Sequence, residues 1–368
     1  MNKKKLCFVL PEYNKNTPTH FNYLYDFIRA VSGDFDIFLI IEKGGKPNFD
    51  LGCRRVQAVW FKFFLLRAAE VKLRIFYARL SGYKDFYVHY SFLAAFMASW
   101  IVKVFGGRVF YWNCGLPWNY KRGFLRERFE RLVYKMISFL VTGTESLKKE
   151  YAKNYHLPPE KIKVMPNWID VEKVRERQVM YDRNKLLKQL KINSGEKIIL
   201  FAHRLSRRKG AHYLPEILKK LEKENIILIV VGDGPERGDI ESRIKNYELS
   251  EKARFLGWRP QNEVLEYFTI ADLFIMPSEE EGFPHVLLEA MASGTPFVAF
   301  DVGGVKEITP PEIHSFVVSP GNIISFVDRI KELLRGGSNY LKLGVIEKNW
   351  VNRFDIVKVT EQFKILLK

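Results

Sequence analysis

The sequence predicts an α/β protein built from two doubly wound, Rossmann-like parallel sheets. Three observations carry this reading. Short apolar runs rich in Val, Ile and Phe recur along the chain, and each reads as a strand buried on both faces. Longer amphipathic segments alternate with them, as the crossovers between parallel strands require. The alternation runs twice, on either side of Pro166-Asn167-Trp168-Ile169-Asp170 and a charged, weakly periodic stretch that follows to Gly195. A length of 368 residues suits two domains.

In the first half, strands are expected at 5–10, 36–42, 55–61, 85–90, 108–113 and 139–144, with a short one in KIKVMP. Helices are expected at 19–31, 62–79, 92–105 and 122–137, and from Glu145. In the second half, the expected strands are 197–202, 226–231, 253–256, 273–276 and 295–300. The helices there are 209–223, 236–247, 262–270, 284–293, 323–334 and about 357–367. The stretch 87–105 is apolar enough to raise a membrane span, but His89, Ser91, Ser99 and Lys103 interrupt it. It divides into a strand and a helix, each short of the ~20 residues a span needs.

Composition narrows the class. With 47% apolar residues the chain supports a sizeable core, which excludes disorder, and 24 Gly with 16 Pro exclude a collagen-like fibre. Cys7, Cys53 and Cys114 are odd in number and form no C-x-x-C pair, which fits a reducing, cytoplasmic setting. The N-terminal apolar run in MNKKKLCFVLPEY is too short for a signal peptide. The net charge is +17, and residues 1–167 hold most of it, with 28 Lys and Arg against 13 Asp and Glu. That imbalance points to an acidic partner for the first half: nucleic acid, anionic lipid or a charged substrate.

The richest motif is PSEEEGFPHVLLEAMASGTPFVAFDVGGVKEIT, from Pro277 to Thr309. Its order is strand, loop, helix, strand, Gly-rich loop. Pro284 suits a first helical position, and the amides from Gly282 to Val286 would face the strand ends, as in a phosphate site. Glu289, one to two turns later, could accept hydrogen bonds from vicinal hydroxyls such as those of a ribose, and Glu281 could hold a second polyol. The second motif is HRLSRRKG, from His203 to Gly210, where Arg204 and Lys209 could converge on a diphosphate. Arg207 and Arg208 read as a solvated basic turn. Gly232-Asp233-Gly234-Pro235-Glu236 is a third strand-to-helix turn on the same edge, with Asp233 either a cap or a ligand group.

On these residues the chain resembles the glycosyl transferases group 1, or family 4, of retaining, nucleotide-sugar-dependent enzymes with the GT-B fold. The hallmark is a pair of glutamates separated by seven residues, here Glu281-GFPHVLL-Glu289. RLSRRKG, VGDGPE, RFLGW, KIKVMPNWID and VTGTESLKKEY also match, most strongly over residues 197–309. The resemblance implies two Rossmann-like domains facing a central cleft. Residues 1–167 would bind the acceptor and 168–349 the donor, with the C-terminal helix of about 350–368 able to pack back on the first domain. Arg204, Lys209 and Glu281 would be catalytic. The donor would be held by these and by Gly232, Asp233, Arg254, Phe255, Leu256, Gly282, Phe283, Pro284, His285, Leu288 and Glu289. Glu281 would position the transferred sugar, Glu289 would bind the ribose, and the 254–257 turn would meet the base.

The implied activity is transfer of a sugar from a UDP or GDP type donor to a glycan or lipid-linked acceptor, in polysaccharide or glycolipid biosynthesis. No cofactor and no metal are expected, since Arg and Lys meet the diphosphate charge. The chain departs from the family pattern at His203 and Trp168, where Gly is usual, in the first loop, and at Asn113-Cys114, where many members carry a His. His20, His89 and Asn113 are acceptor-side candidates, each with a structural alternative. The segment from Lys62 to Arg79 interleaves apolar and basic residues. It reads either as an interfacial helix drawn to an anionic membrane from the cytoplasmic side or as a Rossmann helix with a solvated basic face. A nucleic-acid-binding protein is the reading that charge alone suggests, but no helix-turn-helix, zinc-finger or RNP-like motif accompanies it and none is expected as a partner. Another GT-B enzyme, such as a phosphorylase or a nucleotide-sugar epimerase, is a further alternative.

Overall fold

The first sheet grows from runs that are apolar on both sides. β1 (Lys4–Leu10) and β2 (Phe35–Ile41) bury nearly every side chain, the signature of central parallel strands covered by helices on both faces. The computed structural model describes residues 3–13, 22–180, 182–336 and 338–368. Between and after these strands come α1 (Asn22–Ser32), β3 (Arg55–Ala58), α2 (Phe64–Leu80), β4 (Asp85–His89) and α3 (Phe92–Phe105). They are followed by β5 (Arg108–Trp112), α4 (Phe124–Met136), β6 (Phe139–Thr142), α5 (Glu145–Tyr155) and β7 (Ile162–Val164). Among the described residues the strands pair in parallel in the order β3-β2-β1-β4-β5-β6-β7.

The second sheet repeats the plan. After α6 (Val171–Met180) and α7 (Arg183–Gln189) come β8 (Lys197–Ala202), α8 (Leu214–Lys220), β9 (Ile226–Val231), α9 (Arg237–Asn246) and β10 (Ala253–Gly257). Then follow α10 (Gln261–Ile270), β11 (Leu273–Met276), α11 (His285–Ser293), β12 (Phe297–Phe300), α12 (Val305–Ile308), β13 (Val317–Val318), α13 (Ile323–Leu334) and α14 (Ser338–Trp350). The parallel order is β10-β9-β8-β11-β12-β13. Strand order reverses between β8 and β11, so the crevice above their carboxyl ends is a topological switch point, where doubly wound sheets bind ligands.

By compactness the chain divides into two units, 1–166 with 356–368, and 167–355. α15 (Ile356–Leu367) therefore belongs to the first unit, where Phe363 is fully buried. Its ring lies 5.8 Å from Phe8, 5.2 Å from Phe27, 5.9 Å from Phe35 and 4.9 Å from Tyr87.

Several elements differ from the sequence reading. β3 stops at Ala58 instead of Phe61 because the Glu70 carboxylate of α2 accepts from the amides of Trp60 and Phe61, at 2.9 and 3.1 Å, which draws this backbone away from the ladder. The helix expected at 209–223 shortens to α8, because Gly210 takes φ +67° and breaks the run. Pro284 precedes α11 with an extended ψ of 106° instead of opening it. The charged stretch after Asp170 holds α6 and α7. Asp182 caps α7 by accepting from the amides of Asn184 and Lys185.

Phe363→Ala removes a ring with aromatic neighbours on every side and is expected to destabilise the first unit by about 3–5 kcal/mol. Thermal unfolding checks this, and an unchanged midpoint would show that the C-terminal helix is not part of that core.

Candidate active site

The crevice above β8 and β11 is built by glycines that let backbones touch. A Cβ on Gly210 would lie 1.7 Å from the carbonyl oxygen of Pro277, at the end of β11. One on Gly303 would lie 1.9 Å from the carbonyl oxygen of Glu281. Both residues sit at positive φ, so any side chain would be excluded twice, by clash and by backbone conformation. The turn after β8 therefore lies directly against the loop after β11. Two amides confirm the contact: those of Glu279 and Glu280 donate to the carbonyl of Arg208 at 3.0 and 3.3 Å.

The turn after β9 is laced into the same edge. The amide of Leu205 donates to Asp233 at 3.0 Å, and that of Glu236 donates to Leu205 at 3.1 Å. A Cβ on Gly232 would meet the His203 carbonyl at 2.0 Å. Three turns from three strands thus converge through main-chain contacts.

Side chains follow from this packing. Lys209 Nζ donates to Glu281 Oε1 at 2.6 Å, with both groups largely buried. His203 Nε2 lies 3.3 Å from the same oxygen without the alignment of a hydrogen bond. Burial pushes the His203 imidazole down to about 3, reinforced by the Lys209 charge. It is therefore neutral at physiological pH, and the cation hydrogen-bonded to Glu281 is Lys209. Burial alone would raise the Glu281 carboxyl, yet the Lys209 ammonium holds it below the ordinary range.

The two preceding carboxylates have partners in the same turn region. Glu280 faces Arg208 at 3.7 Å, and Glu279 accepts from the Tyr213 hydroxyl at 2.9 Å. Arg204, by contrast, is exposed and carries no ion pair among the described residues.

Glu289 faces a different setting. It is buried on α11, and Gln261 Nε2 at the start of α10 donates to its Oε1 at 2.9 Å. With no cation paired to it among the described residues, burial pushes its carboxyl up to about 7, against the opposing Gln261 bond. The two motif glutamates are thus tuned apart: Glu281 is charged through Lys209, and Glu289 is poised near neutrality.

The remaining sequence candidates sort by partner. Phe283 and Leu288 are buried, and the Phe283 carbonyl accepts from Asn167 Nδ2 at 3.1 Å. Gly282 lies between Glu281 and Phe283 in the loop. Burial pushes the His285 imidazole down to about 4, against a backbone hydrogen bond to Trp168. Asp233 accepts from the amide of Gly234 at 2.7 Å and pairs with Arg237 at 3.1 Å, so it closes its own turn. The segment 254–257 is strand β10, not a turn. The Arg254 guanidinium donates to the carbonyls of Leu190, Glu251 and Ala253, while Phe255 and Leu256 are half-buried on this edge strand.

In the first unit, His89 is fully buried among rings, 5.5 Å from Trp112 and 5.1 Å from Tyr87, and burial holds it near 3. Asn113 Nδ2 donates to the Tyr134 hydroxyl at 3.2 Å, and its Oδ1 accepts from Gly115 at 2.8 Å. Asn113 thus closes its own turn, whereas both ring nitrogens of His89 are buried without a hydrogen-bond partner among the described residues. His20 lies outside the described residues.

Two site residues escaped the sequence reading. Gln261 reads as an ordinary first-turn residue, and nothing local in sequence marks it as the partner of Glu289. His203 did carry a signal, as the substitution of a usual glycine.

Comparison with known proteins agrees with this geometry. Residues 182–350, which contain the whole crevice, match the family described as glycosyl transferases group 1. The chain is 34% identical over 200 residues to an uncharacterized glycosyltransferase of Methanocaldococcus jannaschii, covering 52% of this chain and 50% of that protein. It is 28% identical over 253 residues to the Escherichia coli UDP-Gal:alpha-D-GlcNAc-diphosphoundecaprenol alpha-1,3-galactosyltransferase, covering 64% and 63%. The chain thus spans between half and two thirds of the length of these relatives. In overall fold it is similar to Anabaena HepE, solved in complex with UDP-glucose, with a TM-score of 0.81, 19% identity and 99% of both chains covered. The fold is GT-B, two parallel-sheet Rossmann-like units.

Gly210→Ala forces a Cβ into the Pro277 carbonyl at a left-handed backbone position. It is expected to cost at least about 1–3 kcal/mol and to lower the unfolding midpoint of the second unit. A variant as stable as the parent would remove the basis for the contact between the two turns.

Proposed function

We propose that this chain is a retaining glycosyltransferase that moves a sugar from a nucleoside-diphosphate sugar, of UDP or GDP type, to a glycan or lipid-linked acceptor. The observation that supports this reading is the Lys209–Glu281 pair at the switch-point crevice, with Arg204 exposed in the turn after β8 and Glu289 buried on α11, the helix that follows the Glu281 loop. Departure of the sugar leaves negative charge on the diphosphate. Arg204 is exposed and uncommitted, so its guanidinium is available to receive that charge as a planar fork. Lys209 is held in place by Glu281 before any ligand arrives, which is the preorganisation that charge stabilisation needs. Glu281 positions the transferred sugar, and Glu289 accepts from the ribose hydroxyls. A carbohydrate acceptor on a diphosphate lipid is named for the Escherichia coli relative, and a UDP-sugar for the Anabaena structure. Those names motivate the acceptor and donor classes proposed. No metal takes part in this scheme, and turnover is expected to survive chelation by EDTA.

Arg204→Ala is the cleaner test of the diphosphate role, because Lys209→Ala also leaves Glu281 buried without its cation. Arg204→Ala is expected to lower turnover on the order of 10²–10³-fold with the fold unchanged. Full activity in a screen of UDP-, GDP- and ADP-sugars would sink the assignment. Release of sugar phosphate with inorganic phosphate as acceptor would instead identify a phosphorylase.

The ribose role predicts a pH dependence. Ionised Glu289 accepts hydroxyl hydrogen bonds more strongly, and at both oxygens, than the acid does, and its carboxyl stands at about 7. Nucleotide affinity should therefore rise as pH climbs from about 6 to about 8 and then level off. Glu289→Gln should weaken binding about ten- to a hundredfold and flatten that profile, as read by calorimetry. A profile that keeps its slope in the variant would assign the titration to another group.

A further inference from the structure

The helices on one side of the first sheet are apolar on the wrong face. On α2, Val71, Ile75 and Ala78 point to the core and are buried. Leu66, Ala69, Leu73, Tyr77 and Leu80 recur three and four apart on the opposite side, and all are exposed. A surface helix ordinarily carries polar residues there. The approach to α2 continues the pattern: Trp60 is 82% exposed and Phe63 65%.

This face does not stop at α2. Lys72 Nζ sits 5.3 Å over the exposed ring of Trp100 on α3, and the rings of Phe76 and Phe105 meet at 5.3 Å, tilted by 59°. At the start of α4, Phe124 and Leu125 are 69% and 81% exposed. Exposed apolar side chains thus continue from α2 onto α3, and the start of α4, which packs on α3 through Phe96 and Phe129 at 5.3 Å, adds two more.

The charge on it has one sign. Segments 60–80, 100–105 and 120–135 carry twelve Lys and Arg against three Glu. Each of those glutamates is already paired: Glu70 with Arg74, Glu127 with Arg131, and Glu130 with Arg122 and Arg126. Exposed cations such as Lys62, Lys72, Lys103 and Arg128 therefore stand uncompensated beside exposed apolar side chains.

We propose that this face of α2, α3 and α4 docks on an anionic lipid bilayer, with Trp60 and the leucines of α2 entering the headgroup region and the cations meeting lipid phosphates. No described helix is long and apolar enough to cross a membrane, so the contact is interfacial. A second copy of the chain is a poor occupant, because pairing this face with itself would set its uncompensated cations, Lys62, Lys72, Lys103 and Arg128 among them, against their own copies. Nucleic acid could stack on Trp60, Tyr77 and Trp100 but would leave Leu66, Leu73 and Leu80 without an apolar partner, which a bilayer supplies. The docking surface lies wholly in the first unit and is independent of the donor chemistry proposed for the second.

The test is co-sedimentation of the full chain with vesicles of equimolar phosphatidylcholine and phosphatidylglycerol, with pure phosphatidylcholine as the comparison. Binding is expected to the anionic vesicles, to fall with added salt, and to be far weaker on the zwitterionic ones. The triple variant Lys62→Glu, Lys72→Glu, Arg128→Glu should lower partitioning about a hundredfold or more. A second variant, Trp60→Ser with Leu66→Ser and Leu73→Ser, should lose binding while keeping those charges. All six positions are exposed, so circular dichroism should show the parent fold for both. Equal binding to both vesicle types, or parent-like binding by either variant, overturns the proposal. So does a dimer in analytical ultracentrifugation that the serine variant dissociates.

Discussion

The ion pair between Lys209 and Glu281 exists because two backbones touch. Gly210 allows the turn after β8 to rest on the carbonyl of Pro277, and Gly303 allows the next loop to rest on the carbonyl of Glu281. With those approaches in place, a lysine one residue before Gly210 and a glutamate four residues after Pro277 meet at 2.6 Å. A buried carboxylate is costly without a cation, and a buried cation is costly without a carboxylate. The geometry satisfies both at the point where strand order reverses. The chemistry proposed for the crevice depends on this contact more than on any one helix or strand.

The two motif glutamates illustrate how environment separates identical side chains. Both are buried, and both belong to the same loop-and-helix segment. Glu281 has a cation against it and stays charged; Glu289 has only an amide and is pushed towards neutrality. Such divergence suits two different tasks, one electrostatic and one of hydrogen-bond acceptance. His203, buried and neutral beside Glu281, adds a nitrogen to the crevice without adding charge.

The charge imbalance noted in the sequence acquires a location. In the second unit, Glu279, Glu280 and Glu281 each face a partner from the turn region after β8, and the excess of charge there is small. In the first unit, cations gather around the exposed apolar faces of α2, α3 and α4. Composition reports the surplus, but only exposure shows that it stands beside tryptophan and leucine instead of open solvent.

Much of the architecture was legible in the sequence because it follows local periodicity. The strands 197–202, 226–231 and 273–276, and the helices 92–105 and 323–334, coincide with the apolar pattern to the residue. The switch-point loops were legible too, since Gly and Pro punctuate them. What periodicity could not decide were features set by distant residues. β3 ends early because Glu70 captures the amides of Trp60 and Phe61. The basic turn closes as a 3-10 turn at Arg207–Lys209 instead of opening an α-helix, because Gly210 takes a left-handed φ with the Pro277 carbonyl behind it. Gln261 belongs to the site only because its helix starts beside α11. The seven-residue spacing of Glu281 and Glu289 was present in the sequence; their opposite protonation tendencies were decided by the tertiary structure, which put a lysine beside one and a glutamine beside the other.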